Sequence, residues 1–104
     1  NDPTFVEAAR VLGERMTKEN DARDGIVTAY RRLTGQTPGE REIDLLLELR
    51  HVEYEKFRAH PEKAKGWLTT GQYVVDRELD RPLVAANTVV ASTIMNSDAT
   101  LTKR

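Results

Sequence analysis

Thr37-Pro38-Gly39-Glu40-Arg41-Glu42-Ile43-Asp44-Leu45-Leu46-Leu47 opens the stretch that decides the fold. Thr37 and Glu40 have the spacing of a capping box, and proline directly after the cap supplies the φ of a first helical residue, where its missing N–H costs nothing. In that box the Thr37 hydroxyl accepts from the N–H of Glu40, and the Glu40 carboxylate accepts from the N–H of Thr37. Ile43, Leu46, Leu47, Arg50, Tyr54 and Phe57 then recur at three- and four-residue steps, tracing one helix face. Leu45, Leu49 and Val52 widen the apolar surface. The spacing predicts a helix to about Ala59, roughly 30 Å long at about 1.5 Å per residue. Such an element, touched on two sides, is expected to be the backbone of the domain.

The flanking sequence punctuates in the same way. Upstream, Asp2 is placed to cap a first helix with Pro3 at its first position, and Phe5, Ala8, Ala9, Leu12 and Met16 form its stripe. The polar run Lys18-Glu19-Asn20-Asp21 ends it. A second helix is expected from Ala22 to Thr34, burying Ile26, Ala29, Tyr30 and Leu33, with Gly35 as a left-handed C-terminal cap. Downstream, Pro61 restarts a short helix through Ala64, Trp67 and Leu68, closed by Gly71. Gln72 to Asp80 reads as a connector; Tyr73, Val74 and Val75 are β-prone, but one short run makes no sheet. Asp80 then caps a fifth helix with Pro82 in its first turn and Leu83, Ala86, Val90, Thr93 and Ile94 as its packing face, followed by a polar tail from Asn96 to Arg104. The whole predicts an all-α fold: a single domain over residues 1–104, a compact bundle of about five helices with one long central helix. The stripes are wider than strict heptads, which favours a bundle over an extended coiled coil.

Bulk properties narrow the chemistry. A chain of 104 residues buries enough surface to fold without a metal or a disulfide. The net charge of −1 argues against a nucleic-acid partner, because phosphate binding needs a concentrated excess of Lys and Arg. With no cysteine, the chain holds no disulfide, thiolate-ligated metal or covalently attached haem of its own. No apolar run approaches the ~20 residues of a membrane span, so membrane insertion is not expected. Asn1-Asp2-Pro3 opens directly on a helix start, without a signal peptide, as expected if the chain is a fragment or if a segment has been removed.

Candidate reactive groups do not converge. His51 and Glu55 share a helix face, but catalytic zinc takes three protein ligands and His60 falls on the opposite side. They read as solvated surface groups. Ser92 and Ser97 lack a Gly-flanked elbow. Glu40, Glu42, Asp44, Glu48, Glu53 and Glu55 interleave with Arg41, Arg50 and Lys56, the pattern of a solvated face laced with weak ion pairs. Arg31-Arg32 beside Tyr30 is the best basic cluster; surface salt bridging, with Asp21, Asp24 and Glu40 as partners, is favoured over anion recognition. Trp67 and Tyr73 have the chemistry of an aromatic platform for a sugar or peptide, although Trp67 sits at core spacing with Ala64 and Leu68. No site residue, catalytic, cofactor-binding or metal-ligating, is assigned.

Three stretches carry a family resemblance. They are Asn1-Asp2-Pro3-Thr4-Phe5-Val6-Glu7-Ala8-Ala9-Arg10, Ala29-Tyr30-Arg31-Arg32-Leu33-Thr34-Gly35-Gln36-Thr37-Pro38 and Val89-Val90-Ala91-Ser92-Thr93-Ile94-Met95-Asn96-Ser97-Asp98. In that order they resemble the C-terminal domain of unknown function of large exported proteins of planctomycetes and related bacteria, proteins that often carry a cytochrome-c-like module nearer the N-terminus. The chain departs from that pattern at Asn87, where an aromatic is expected, and at Ala99, where Glu is expected. The resemblance transfers no catalytic residue. It implies a periplasmic or cell-surface location and a c-type haem, if one is present, in upstream domains.

The expected function is that of a non-catalytic structural or interaction module. It docks on upstream domains of the same protein or binds a protein or polysaccharide partner. Phe5, Val6, Tyr54 and Tyr73 exceed what one small core holds and leave a docking face. The alternative is an accessory wall of an active site in a multidomain redox or carbohydrate-processing enzyme, to which Arg31, Arg32 or His51 would contribute. A third reading is a metal-binding module through His51 and Glu55.

Overall fold

The computed structural model describes residues 3–68 and 78–102, with side chains from 5 to 68 and from 78 to 97. Among them five helices and no strand occur: α1 (Pro3–Lys18), α2 (Ala22–Thr34), α3 (Glu40–Ala59), α4 (Pro61–Leu68) and α5 (Arg81–Thr102). The all-α bundle read from the periodicity is the fold observed. The expected roles of Asp2, Gly71 and the Tyr73–Val75 run lie outside the described residues.

The local signals explain most boundaries. Asp21 caps α2, its carboxylate accepting from the N–H of Arg23 at 2.9 Å. Gly35 ends that helix with φ 75° and donates its N–H to the carbonyl of Arg31 at 2.8 Å, a left-handed conformation that favours glycine because it has no Cβ. The start of α3 corrects the sequence reading. The helix begins at Glu40, not Pro38, and its cap is Gly39, whose N–H donates to Glu42 Oε1 at 3.0 Å. Two glutamates lie three residues downstream of a candidate cap, Glu40 after Thr37 and Glu42 after Gly39. The second pairing is the one formed: Gly39 holds the extended conformation of a cap, with φ −73° and ψ 162°, and Thr37 and the buried Pro38 stay outside the helix. Glu40 is thereby freed to pair with Arg23.

The central helix is α5, not α3. Between Pro82 and Ser97 it carries no charged residue, and from Val84 to Ala91 every residue but Val89 is buried. A helix that is apolar or small all round belongs inside a bundle. Two apolar clusters meet on it. Ala9, Met16, Ile26, Ala29 and Leu46 pack with Val90, Ala91 and Ile94; Phe57, Ala64 and Leu68 pack with Val84, Ala85 and Ala86. The predicted face was too narrow: Ala85, Asn87, Thr88 and Ala91 are buried, whereas Thr93 is exposed and returns its hydroxyl to the Val89 carbonyl at 2.8 Å. No glycine or proline follows Pro82 in α5, so the expected polar tail from Asn96 continues as helix to Thr102. α3 touches the core along one side only, through Ile43, Leu46 and Phe57.

α1 is also rotated from the expected stripe. Ala8 is exposed, while Ala9, Arg10, Gly13 and Glu14 are buried. The cause is Gly13: a Cβ there would lie 2.3 Å from Thr88 Oγ1 and 2.8 Å from Thr88 N. Only a residue with no side chain lets α1 and α5 approach so closely, and that contact sets which face of α1 turns inward.

Candidate functional site

The groups singled out in the sequence are scattered over the surface. His51 is exposed; its neighbour Glu55 pairs with Arg58 at 3.3 Å. His60 sits beyond the end of α3, 3.6 Å from Glu62. Among the described residues no three histidine or carboxylate side chains gather as a metal would require. Ser92 and Ser97 lie on α5, half-buried and exposed respectively. Trp67 is half-buried and packs on the Phe57 cluster, so it is a core residue; Tyr73 lies outside the described residues. The ion pair expected at Arg31-Arg32 is made instead by Arg23, which meets Glu40. That contact raises the Arg23 guanidinium pKa, chiefly through the hydrogen bond.

The acidic helix face is laced as expected. Lys56 meets Glu53 at 2.7 Å and Arg58 meets Glu55 at 3.3 Å, each three residues apart. Glu42 also accepts from the Tyr30 hydroxyl at 2.6 Å, and this bond, with that from Gly39 N–H, holds its carboxyl below the usual range. Tyr54 donates to Asp80 at 2.6 Å, which pushes its phenol pKa up. The Asp80 carbonyl accepts the first helical bond of α5, from Val84 N–H at 2.9 Å. These contacts tie α2 to α3 and α3 to the start of α5.

Sequence reasoning missed the polar groups inside. Arg10 is wholly buried, 3.5 Å from the buried Glu14 and 3.7 Å from Glu7. Beside them, Arg50 Nε donates to Asn87 Oδ1 at 3.2 Å and Asn87 Nδ2 donates to Thr17 Oγ1 at 2.9 Å. Thr17 and Thr88 donate to the carbonyls of Gly13 and Val84, both at 2.7 Å. Asn87 therefore bridges α1, α3 and α5. Two signals could have located this seam: the Glu7, Arg10, Glu14 ladder at three- and four-residue steps beside Gly13, and Asn87 within the charge-free stretch from Pro82 to Ser97. Thr17, Arg50 and Asn87 are thereby occupied in joining helices, and Arg10 and Glu14 pair within α1.

What remains uncovered is the outer side of α3. Leu45 is 60% exposed and Val52 50% exposed. Seven residues separate them, about two helical turns, so they project from the same side roughly 10 Å apart. Leu49, between them, turns inward onto the core. Arg41, Glu48 and Lys56 lie on the same side and frame the pair with both signs of charge.

Set against protein-family models, curated proteins and solved structures, the chain matches none. No described helix is long and apolar enough to cross a membrane.

Proposed function

We propose that the chain is a non-catalytic structural and interaction module of a larger exported protein, docked against an upstream domain of that protein through the outer side of α3. The observation that carries the proposal is the bare pair Leu45 and Val52. Two large apolar side chains on one side of a charged helix are the centre of a contact surface, and the mixed charges around them suit its rim. The interior supports the same reading: Thr17, Arg50 and Asn87 are spent on holding helices together. The resemblance of the terminal and Ala29–Pro38 stretches to C-terminal modules of exported, cytochrome-c-associated proteins supports the parent and its periplasmic or cell-surface location.

The test is the double substitution Leu45→Glu/Val52→Glu, in the chain alone and in the full-length parent. Alone, it is expected to melt within a degree or two of wild type, because both positions are exposed. In the parent, it is expected to loosen the domain, seen as faster limited proteolysis at the junction with the upstream domain. Unchanged cleavage would remove α3 as the docking face. Loss of parental turnover on Arg31, Arg32 or His51 substitution would instead favour an active-site wall.

A further inference from the structure

A different surface, between α1 and α2, is hollowed. Where the second half of α1 lies against α2, an open groove of about 220 Å³ is lined by Leu12, Met16 and Ala29 together with Arg15, Lys18 and Arg32. Met16 and Ala29 are buried and Leu12 is half-buried, so the apolar side chains form its floor; the three cations are exposed and form its rim. Gly25 lines the groove where the helices approach closely: a Cβ there would stand 3.2 Å from the carbonyl oxygen of Met16.

The rim of this groove is cationic. Arg23, Lys56 and Arg58 each meet a carboxylate. Arg15, Lys18 and Arg32 make no ion pair among the described residues, and the single acid on the groove is Glu19. Three unpaired cations around an apolar floor present a field that an anion relieves. We propose that the groove binds a small carboxylate with a short aliphatic or aromatic body. The body lies on Leu12, Met16 and Ala29, and the carboxylate sits among Arg15, Lys18 and Arg32. Arginine suits the role because its planar fork matches a carboxylate, and the flexible Met16 thioether accommodates bodies of differing shape. The volume falls below the roughly 300–1,000 Å³ of sites for drug-sized ligands, which selects a short chain over a lipid tail or a docked helix.

The experiment is an NMR titration of the intact chain with sodium octanoate, with octan-1-ol and octylammonium as controls. Octanoate is expected to shift the amides of Leu12, Met16, Gly25 and Ala29 saturably, and more weakly as salt is added. Arg15→Glu/Arg32→Glu, two exposed substitutions whose folding is checked by circular dichroism, is expected to weaken octanoate about tenfold or more and to leave the weak binding of octanol unchanged. Absence of saturable shifts, equal binding of octanol, or undiminished binding by the charge-reversed variant would each overturn the site. So would the same amides responding to a glutamate-rich amphipathic peptide and not to octanoate.

Discussion

α3 and α5 are nearly equal in length, 20 and 22 residues, and opposite in role. α3 has the richer helical punctuation and charge on ten of its residues, and it lies on the outside with Leu45 and Val52 bare. α5 has charge only at Arg81 and Asp98, and it is buried almost all round from Val84 to Ala91. The difference teaches that strong caps and long stripes mark where a helix begins, whereas freedom from charge marks where it sits. A charged residue must stay near water or be paired, so a helix charged at every second position has only one side to give to a core.

Substitutions can break or sharpen that contrast. The largest effect is expected at the buried ion pair beside α5. Glu14→Ala removes the carboxylate 3.5 Å from the buried Arg10 and should cost about 3–5 kcal/mol in denaturant unfolding. Its counterpart on α3, Glu55→Ala, breaks an exposed pair and should stay within about 0.5 kcal/mol of wild type. Next come the apolar side chains. Ile94→Ala, at a position 2% exposed, should cost about 2–5 kcal/mol, and Leu45→Ala should be near neutral, within about 0.5 kcal/mol. Equal losses at the two sites would erase the distinction between the helices. Gly13→Ala should destabilise by about 1–3 kcal/mol, because its Cβ meets backbone atoms of Thr88 that have no rotamer to yield. Gly35→Ala, which strains a φ of 75° but meets no neighbouring atom, should cost only about 1 kcal/mol.

The smallest effects depend on pH and have opposite signs at two contacts of α3. The Tyr54 phenol is raised in the folded chain by Asp80. Its contribution is therefore complete below the ordinary phenol range and is lost as pH rises through the raised value. The Glu42 carboxyl is lowered by Tyr30 and Gly39. Its contribution is complete above the ordinary carboxyl range and is lost as pH falls through the lowered value. Thermal melts of Tyr54→Phe should show a flatter alkaline limb, and melts of Tyr30→Phe a flatter acid limb. Either variant tracking wild type would remove the corresponding contact.

The sequence made the helix inventory legible because its signals are local. Asp21, Gly35 and Pro61 act within a turn of themselves: α2 runs between the first two, and α4 begins at Pro61. What it did not make legible was contact at a distance. The inward turn of Arg10 and Glu14 depended on Gly13 meeting Thr88, 75 positions away in the chain. Asn87 reads as a departure from a family pattern in one dimension, and in three it is the link between Arg50 and Thr17. The candidate surface was half legible. The sequence reading placed the surplus apolar area at Phe5, Val6, Tyr54 and Tyr73; Phe5, Val6 and Tyr54 are half-buried, Tyr73 lies outside the described residues, and Leu45 and Val52, counted on a second packed side of α3, are bare.

Native-state hydrogen exchange on the isolated chain tests the arrangement most directly, because it ranks helices by the opening needed to expose them. If α5 organises the interior, amides from Val84 to Ile94 will exchange only through global unfolding, and those from Leu45 to Lys56 will exchange through smaller openings that leave α5 protected. Slower exchange in α3 than in α5 would contradict the account and return α3 to the centre of the bundle.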